Sequence, residues 1–288
     1  MLVPSLLWVS IFCYWPMYGV IMAFQNFKPA LGFTRSPWVG FENFRELFGS
    51  PVFLRVMRNT FSISVMRLVL GFPVPIVLAL LITEIRNTSY RRIIQTLTYV
   101  PYFVSWVVVS AICFLYFAPV NGVINQALRN IGLIENSLGF LEIGFRFVVM
   151  LVLANIWKTA GWSAIIYFAA IAGVDAELFE AAQIDGVRGL QKVIYITLPC
   201  IMPTIIIMLI LNIANIINAG FEQQMIMANT MVWEWAEVID TYAYRYGLRA
   251  LRFSYGTAIG FFKSVVACVL LWGSNAIVRR TTGYHLYN

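Results

Sequence analysis

Apolar residues along this chain gather into six long runs, at roughly 2–24, 60–82, 93–117, 147–172, 201–220 and 255–278. A helix needs about 20 residues, at about 1.5 Å each, to cross the hydrocarbon core of a bilayer, and every run is near that length or beyond it. Inside lipid each backbone N–H and C=O must find its partner within the protein, which leaves helices and closed barrels as spanning structures. A barrel strand is an alternating segment of about ten residues; these runs are about twice as long and do not alternate. The pattern therefore predicts an all-α integral membrane protein with six transmembrane helices, forming one domain over residues 1–288.

The polar stretches between the runs are unequal. Residues 25–59, 118–146 and 221–254 form long connections on one side. In the first of them, residues 41–48 place apolar side chains at helical spacing and are expected as a helix lying along the membrane surface. On the other side, one polar island stands out: Glu180-Ala181-Ala182-Gln183-Ile184-Asp185-Gly186, followed by Ile196-Thr197-Leu198-Pro199. Residues 176–184 favour a helix, with Asp175 as N-cap, Glu177 in the first turn and Gly186 as breaker. A second short helix is expected over 189–197, ended by Pro199. Two short helices at an angle make a rigid knob. Ala181 and Ala182 give it a small face able to sit close in another protein's groove, while Glu180 and Asp185 supply charge to orient the contact.

Composition narrows the chemistry. The chain is 60% hydrophobic and 11% charged, against about 25% charged in soluble domains. Its formal charge of +7 is scattered, with no basic cluster interleaved with aromatics, so nucleic acid is not an expected partner. Cys13, Cys113, Cys200 and Cys268 fall in or beside apolar runs without a CxxC pair and read as small hydrophobes. His285 is the only histidine, so no metal site is expected. With no nucleophile–base pair or metal cluster in the spans, no catalytic residue is expected either. No G-x-x-x-x-G-K-[ST] occurs, because none of Lys28, Lys158, Lys192 and Lys263 follows a glycine. Without that phosphate cradle, ATP must be bound by another chain.

Orientation follows from arginines at the membrane edge. Arg86, Arg91 and Arg92 follow the second run, and Arg279 and Arg280 follow the sixth. The long connections opposite hold more basic residues in total, but the positive-inside rule draws its weight from short juxtamembrane segments. Both termini and the island at Glu180 are thereby expected in the cytoplasm. The first run lacks a basic leading segment and reads as a retained helix rather than a signal peptide. It also lacks a basic flank, so the natural chain is expected to begin upstream with a short basic arm.

The spacing E-A-A, three residues, Gly, nine residues, Ile-x-Leu-Pro resembles the signature loop of permease subunits of bacterial ABC importers. All its fixed positions are present: Glu180, Ala181, Ala182, Gly186, Ile196, Leu198 and Pro199. The chain departs where carbohydrate-type members usually have a small residue after the glycine and aromatics in the second helix; here stand Val187, Leu190 and Val193. Tyr99-Val100-Pro101, Ser105-Trp106, Ile156-Trp157-Lys158, Gly161-Trp162, Asn218-Ala219-Gly220-Phe221, Asp240-Thr241-Tyr242, Lys263-Ser264 and Thr282-Gly283-Tyr284 are similar to oligosaccharide and polysaccharide importers, the alginate-oligosaccharide type above all. The resemblance implies a type I permease of the bacterial cytoplasmic membrane. In it residues 175–199 form a coupling helix loop that docks on an ATPase. It further implies a second homologous permease, two ATPase subunits carrying ATP and magnesium, an extracytoplasmic solute-binding protein and an oligosaccharide substrate, acidic if alginate-like.

Three cations lie within the runs: Arg67, Lys158 and Lys263. Each costs roughly 2.5–3.5 kcal/mol at a helix centre, and no acid lies within any run to pair with them. Counted from the outer ends they sit about 10–16 Å deep, which allows one shared level. One reading is a basic pathway lining that favours an anionic sugar. The other is snorkelling, or hydrogen bonds to carbonyls freed at kinks such as Gly71–Pro73–Pro75, and it suits Arg67 and Lys263 better. Lys158, beside Trp157 and Trp162, leaves the two readings even. Asn212, Asn215 and Asn218 form a polar stripe on the fifth run, suited either to sugar hydroxyls or to a partner helix. An ion-coupled secondary sugar transporter is the alternative; it would be expected to carry intramembrane acids and internal repeats, and neither is visible.

Overall fold

The structure is a computed structural model that describes residues 2–282; Gly283, Tyr284 and His285 lie outside the described residues. Helix α1 covers Leu2–Phe24, with wide turns over Ser10–Tyr14 and tight ones over Trp15–Phe24, which contains Pro16. Next come α2 (Glu42–Gly49) and α3 (Pro51–Thr83). The chain then folds α4 (Thr88–Phe103), α5 (Trp106–Phe117), α6 (Val123–Asn130) and α7 (Gly144–Ala172). It continues through α8 (Ala176–Ile184), α9 (Leu190–Cys200), α10 (Met202–Ala214), α11 (Phe221–Met227) and α12 (Phe253–Thr282).

Six spans are present among the described residues when each bent pair counts as one. Helices α1, α3, α7 and α12 are unbroken, whereas α4–α5 bends by 100° and α9–α10 by 65°. The third apolar run is thus broken within, and the fifth is bent at its first residue, which uniform hydropathy conceals. In α4 the break follows from Pro101, which cannot donate to the preceding turn. Val104 is extended, and Ser105 starts α5 afresh by accepting the Val108 amide. Pro199, expected to end the second knob helix, instead lies inside α9. Wider turns over Val193–Thr197 accommodate it, and the bend comes at Ile201, ahead of Pro203. Conversely, Gly71–Pro73–Pro75 does not break α3, which runs 33 residues. That helix begins at Pro51, under a Ser50 cap, nine residues before the apolar run, because its first turns are polar and packed by protein rather than lipid.

The packed core sits toward the end of the spans that carries the long connections. Leu47, Phe53, Val56, Ile217, Ile239, Tyr242, Tyr255 and Ile259 bring α2, α3 and α12 together. Phe147, Met150 and Leu151 of α7 join Val109 and Cys113 of α5 with Met227, Val232 and Ala236. Ion pairs lock the same end. The buried Glu237 carboxylate meets Arg245 at 2.6 Å and Arg55 at 3.6 Å, and Arg55 reaches Glu234 at 2.9 Å. Arg252 pairs with Glu46 at 2.5 Å, and that hydrogen bond raises the arginine's pKa further above its already high value. Toward the opposite end Ala79, Ala164 and Tyr167 hold α3 to α7. Helix α4 presses on α7 at Gly161, where a Cβ would stand 1.9 Å from the Thr98 carbonyl oxygen. Most of α1 covers nothing within the chain: Leu6, Trp8, Phe12 and Trp15 are exposed, and contact with α12 is made from its tight second half.

Candidate functional site

Two features outside the packed core could do work: the knob between α7 and α10, and a polar cavity among α3, α7 and α10.

The knob forms as its sequence dictates. The Asp175 carboxylate accepts the Glu177 amide at 3.0 Å and starts α8. Its end is a glycine-capped reversal: Val187 N–H donates to the Ala182 carbonyl at 2.9 Å and Gly186 N–H to Gln183 at 3.1 Å, with Gly186 at φ +78°. Glu180, Ala181, Asp185 and Gly186 are exposed, whereas Ala182 is buried and Ile196 and Leu198 are half-buried. The two alanines therefore do not share an outward face: Ala181 points out, and Ala182 packs against its own loop. The knob also exposes apolar side chains among its polar ones, with Ile184 87% exposed, Tyr195 73% and Leu190 72%. These three had a sequence signal, an apolar side chain in a polar island, that the motif's fixed positions overshadowed. Lys192 ties the knob to the end of α3 by a 2.7 Å ion pair with Glu84. The knob and the Arg86–Arg92 connection thus lie on one face of the molecule, opposite the ion-paired long connections.

The cavity is about 340 Å³ and its walls include Ser64, Arg67, Asn155, Thr159, Asn212, Asn215 and Asn218. Neither an aspartate nor a glutamate lines it. The asparagine stripe is where sequence spacing placed it, with one difference: α10 stops at Ala214, so Asn215 caps the helix and Asn218 stands in the following turn. Asn212 and Asn215 each donate one N–H to the carbonyl four residues back, at 2.7 and 2.9 Å, and Asn218 donates to Asn215 Oδ1 at 3.0 Å.

The three intramembrane cations do not line one wall. Lys263 pairs with Asp240, an acid from the long 221–254 connection that a count confined to the runs excludes. Lys158 is only 8% exposed; its ammonium donates to the Tyr102 and Val104 carbonyls at 2.5 Å each, beside the Tyr102 and Trp106 rings. These are the hydrogen bonds that the carbonyl reading of Lys158 expects, made at the α4–α5 break rather than at the α3 prolines. Trp162 stacks on Tyr102 with centroids 4.6 Å apart. Trp157 faces a separate apolar pocket of about 300 Å³ with Phe117, Phe140 and Arg146. Of the three cations, Arg67 alone lines the polar cavity.

A helical membrane protein with up to six spans, an open polar cavity and a two-helix knob on one face has the architecture of a transport permease. The chain belongs to the family of binding-protein-dependent transport system inner membrane components, whose profile matches residues 71–283. It is 44% identical over 280 residues to protein LplB of Bacillus subtilis (strain 168), covering 97% of this chain and 87% of that one. It is 39% identical, with the same coverage, to the polygalacturonan/rhamnogalacturonan transport system permease protein YteP of the same organism. Among solved structures it is similar to a chain of a bacterial alginate ABC transporter in complex with an alginate pentasaccharide-bound periplasmic protein, with TM-score 0.89, 39% identity and coverage of 99% and 95%. A second structure, of a bacterial ABC transporter importing the acidic polysaccharide alginate, matches with TM-score 0.89 and 40% identity. The protein is therefore an inner-membrane transport permease of the ABC type and not an enzyme.

Proposed function

We propose that this chain is half of the translocation pathway of an oligosaccharide importer, and that the knob receives the ATPase stroke. Relatives named for polygalacturonan, rhamnogalacturonan and alginate support the substrate class. The observation that carries the coupling role is the knob itself. Ile184, Leu190 and Tyr195 stand exposed around a glycine-capped turn, on a polar face where lipid does not cover them. Apolar side chains held out on a rigid reversal need a partner surface. Glu180, Ala181, Asp185 and Gly186 border that contact, and Ile196, Leu198 and Pro199 link it to the bend before α10.

In this reading the face holding the knob, both termini and Arg86, Arg91 and Arg92 is cytoplasmic. ATP and magnesium reside on two partner ATPase subunits. A second homologous permease completes the pathway, and a solute-binding protein delivers sugar to the opposite face. Asn212, Asn215 and Asn218 offer amides to sugar hydroxyls along the cavity.

The test is Gly186→Pro in the co-expressed transporter. Proline fixes φ near −65°, against +78° here, so the reversal cannot form. The expected result is normal membrane abundance, loss of ATPase co-purification and at least tenfold lower uptake. Full uptake would remove the coupling role.

A further inference from the structure

Arg67 is in an unusual electrostatic position. Its guanidinium donates from Nη1 to the Ala219 carbonyl and from Nη2 to Gln223 Oε1. Both acceptors are neutral. Its Nε is buried without a partner, and no ion pair involves Arg67 among the described residues, whereas Lys263 and Arg55 each have an acid. Of the five N–H donors of a guanidinium, two are engaged and three remain.

The residue is also held in place. Gln223 donates to the Leu151 carbonyl at 2.8 Å while accepting from Arg67, and Gln224 donates at 2.9 Å to the same Ala219 carbonyl that Arg67 uses. Gly220, at φ +90°, brings the turn so close that a Cβ there would stand 3.0 Å from Nη1. A snorkelling side chain would extend toward the interface; this one is fastened sideways, across the turn after α10, at the wall of the cavity.

A cation that is mostly withdrawn from solvent and held only by neutral acceptors is costly unless a counter-charge arrives. The cavity offers none of its own, and its other polar walls are amides and hydroxyls, suited to sugar hydroxyls. Its volume falls within the roughly 300–1,000 Å³ of small-molecule sites. We propose that Arg67 is the carboxylate-binding residue of this cavity, so that the pathway selects oligosaccharides bearing uronic-acid carboxylates. A planar guanidinium matches a carboxylate in a way an ammonium does not. The inference rests on the reading of this chain as half of an oligosaccharide pathway.

The experiment uses the complete transporter in proteoliposomes, with its binding protein, and short galacturonate and mannuronate oligomers beside their methyl esters. Because the binding protein is the same in every arm, its own selectivity cancels when each variant is divided by wild type. Arg67→Gln is expected to lower uptake of the acids at least tenfold, with a several-fold smaller effect on the esters. Arg67→Lys should restore part of the acid uptake, because it keeps the charge and loses the planar fork. If wild type imports no ester, the outcome is decided by charge: lysine retaining uptake where glutamine loses it supports the assignment. Equal loss of acid and ester, equal loss in both variants, or no loss in Arg67→Gln overturns it. Equal loss of acid and ester is also what a carboxylate supplied by the second permease would give. Failure of the underlying reading looks different, since the wild-type complex would then import no oligosaccharide of either charge; that result overturns both.

Discussion

Residue by residue, the buried charges are sorted by what each side chain can reach. Lys158 closes a backbone break: its ammonium satisfies two carbonyls that the α4–α5 bend leaves without helical partners. Lys158→Met would leave both unpaired, at about 1–3 kcal/mol each. The expected outcome is a thermal midpoint for the purified complex lowered by several degrees, with lower membrane abundance. Lys158→Met with unchanged stability but impaired uptake would return the residue to the pathway. Glu237 makes a comparable case at the end carrying the long connections, where one buried carboxylate serves two arginines. Glu237→Ala takes the acid from Arg245 while Arg55 keeps Glu234, and both arginines are partly exposed, so about 1–3 kcal/mol should be lost. A double-mutant cycle with Arg245→Ala checks it, because independent contributions would show no coupling. These partners were not legible in the sequence. Glu237 and Asp240 lie outside every apolar run, and only the folded loop brings them against Arg245 and Lys263.

At the level of elements, local rules carried far. The Asp175 cap, the Ala176–Ile184 helix and the Gly186 reversal were readable because capping and left-handed glycine are short-range chemistry. So was a helix near 41–48, found as α2 (Glu42–Gly49), although its Phe44 and Leu47 pack into the protein core. The broken spans were not readable, since Pro101 and Pro203 sit in runs whose hydropathy is uniform, and prolines in a membrane helix can be absorbed, as those of α3 are. Gly161 shows the limit from the other direction: its sequence context gives no sign that it faces a carbonyl. Gly161→Val would force α4 off α7 by overpacking, typically costing 1–3 kcal/mol or more. It would also separate Lys158 from its carbonyls, since both contacts lie on the α4–α7 crossing. The expectation is a loss of folded complex at least as large as for Lys158→Met, measured by fluorescence size-exclusion after mild heating. A normal elution profile would mean that the crossing yields easily.

Across the whole molecule, stiffness is unevenly distributed. The long connections on one face are tied by Arg55–Glu234, Arg55–Glu237, Arg245–Glu237 and Arg252–Glu46, over two packed clusters. The knob on the other face has one ion pair among the described residues, Lys192–Glu84, at partly exposed side chains, where such pairs contribute about 0–1 kcal/mol. Between the two ends the fifth span is divided by its 65° bend. A push on the knob can therefore tilt α9 against α10 without disturbing the packed end, while Asn212 and Asn215 lie at the far end of α10, beside the Arg67-bearing wall. Hydrogen exchange on the permease pair without ATPase should show residues 176–200 exchanging at least tenfold faster than residues 233–249, because opening free energy follows local packing. Adding the ATPase should slow the first segment selectively. Equal exchange in the two segments would mean that the molecule moves as one rigid unit, and the bend at Ile201 would then be a fixed corner rather than the joint through which the stroke reaches the cavity.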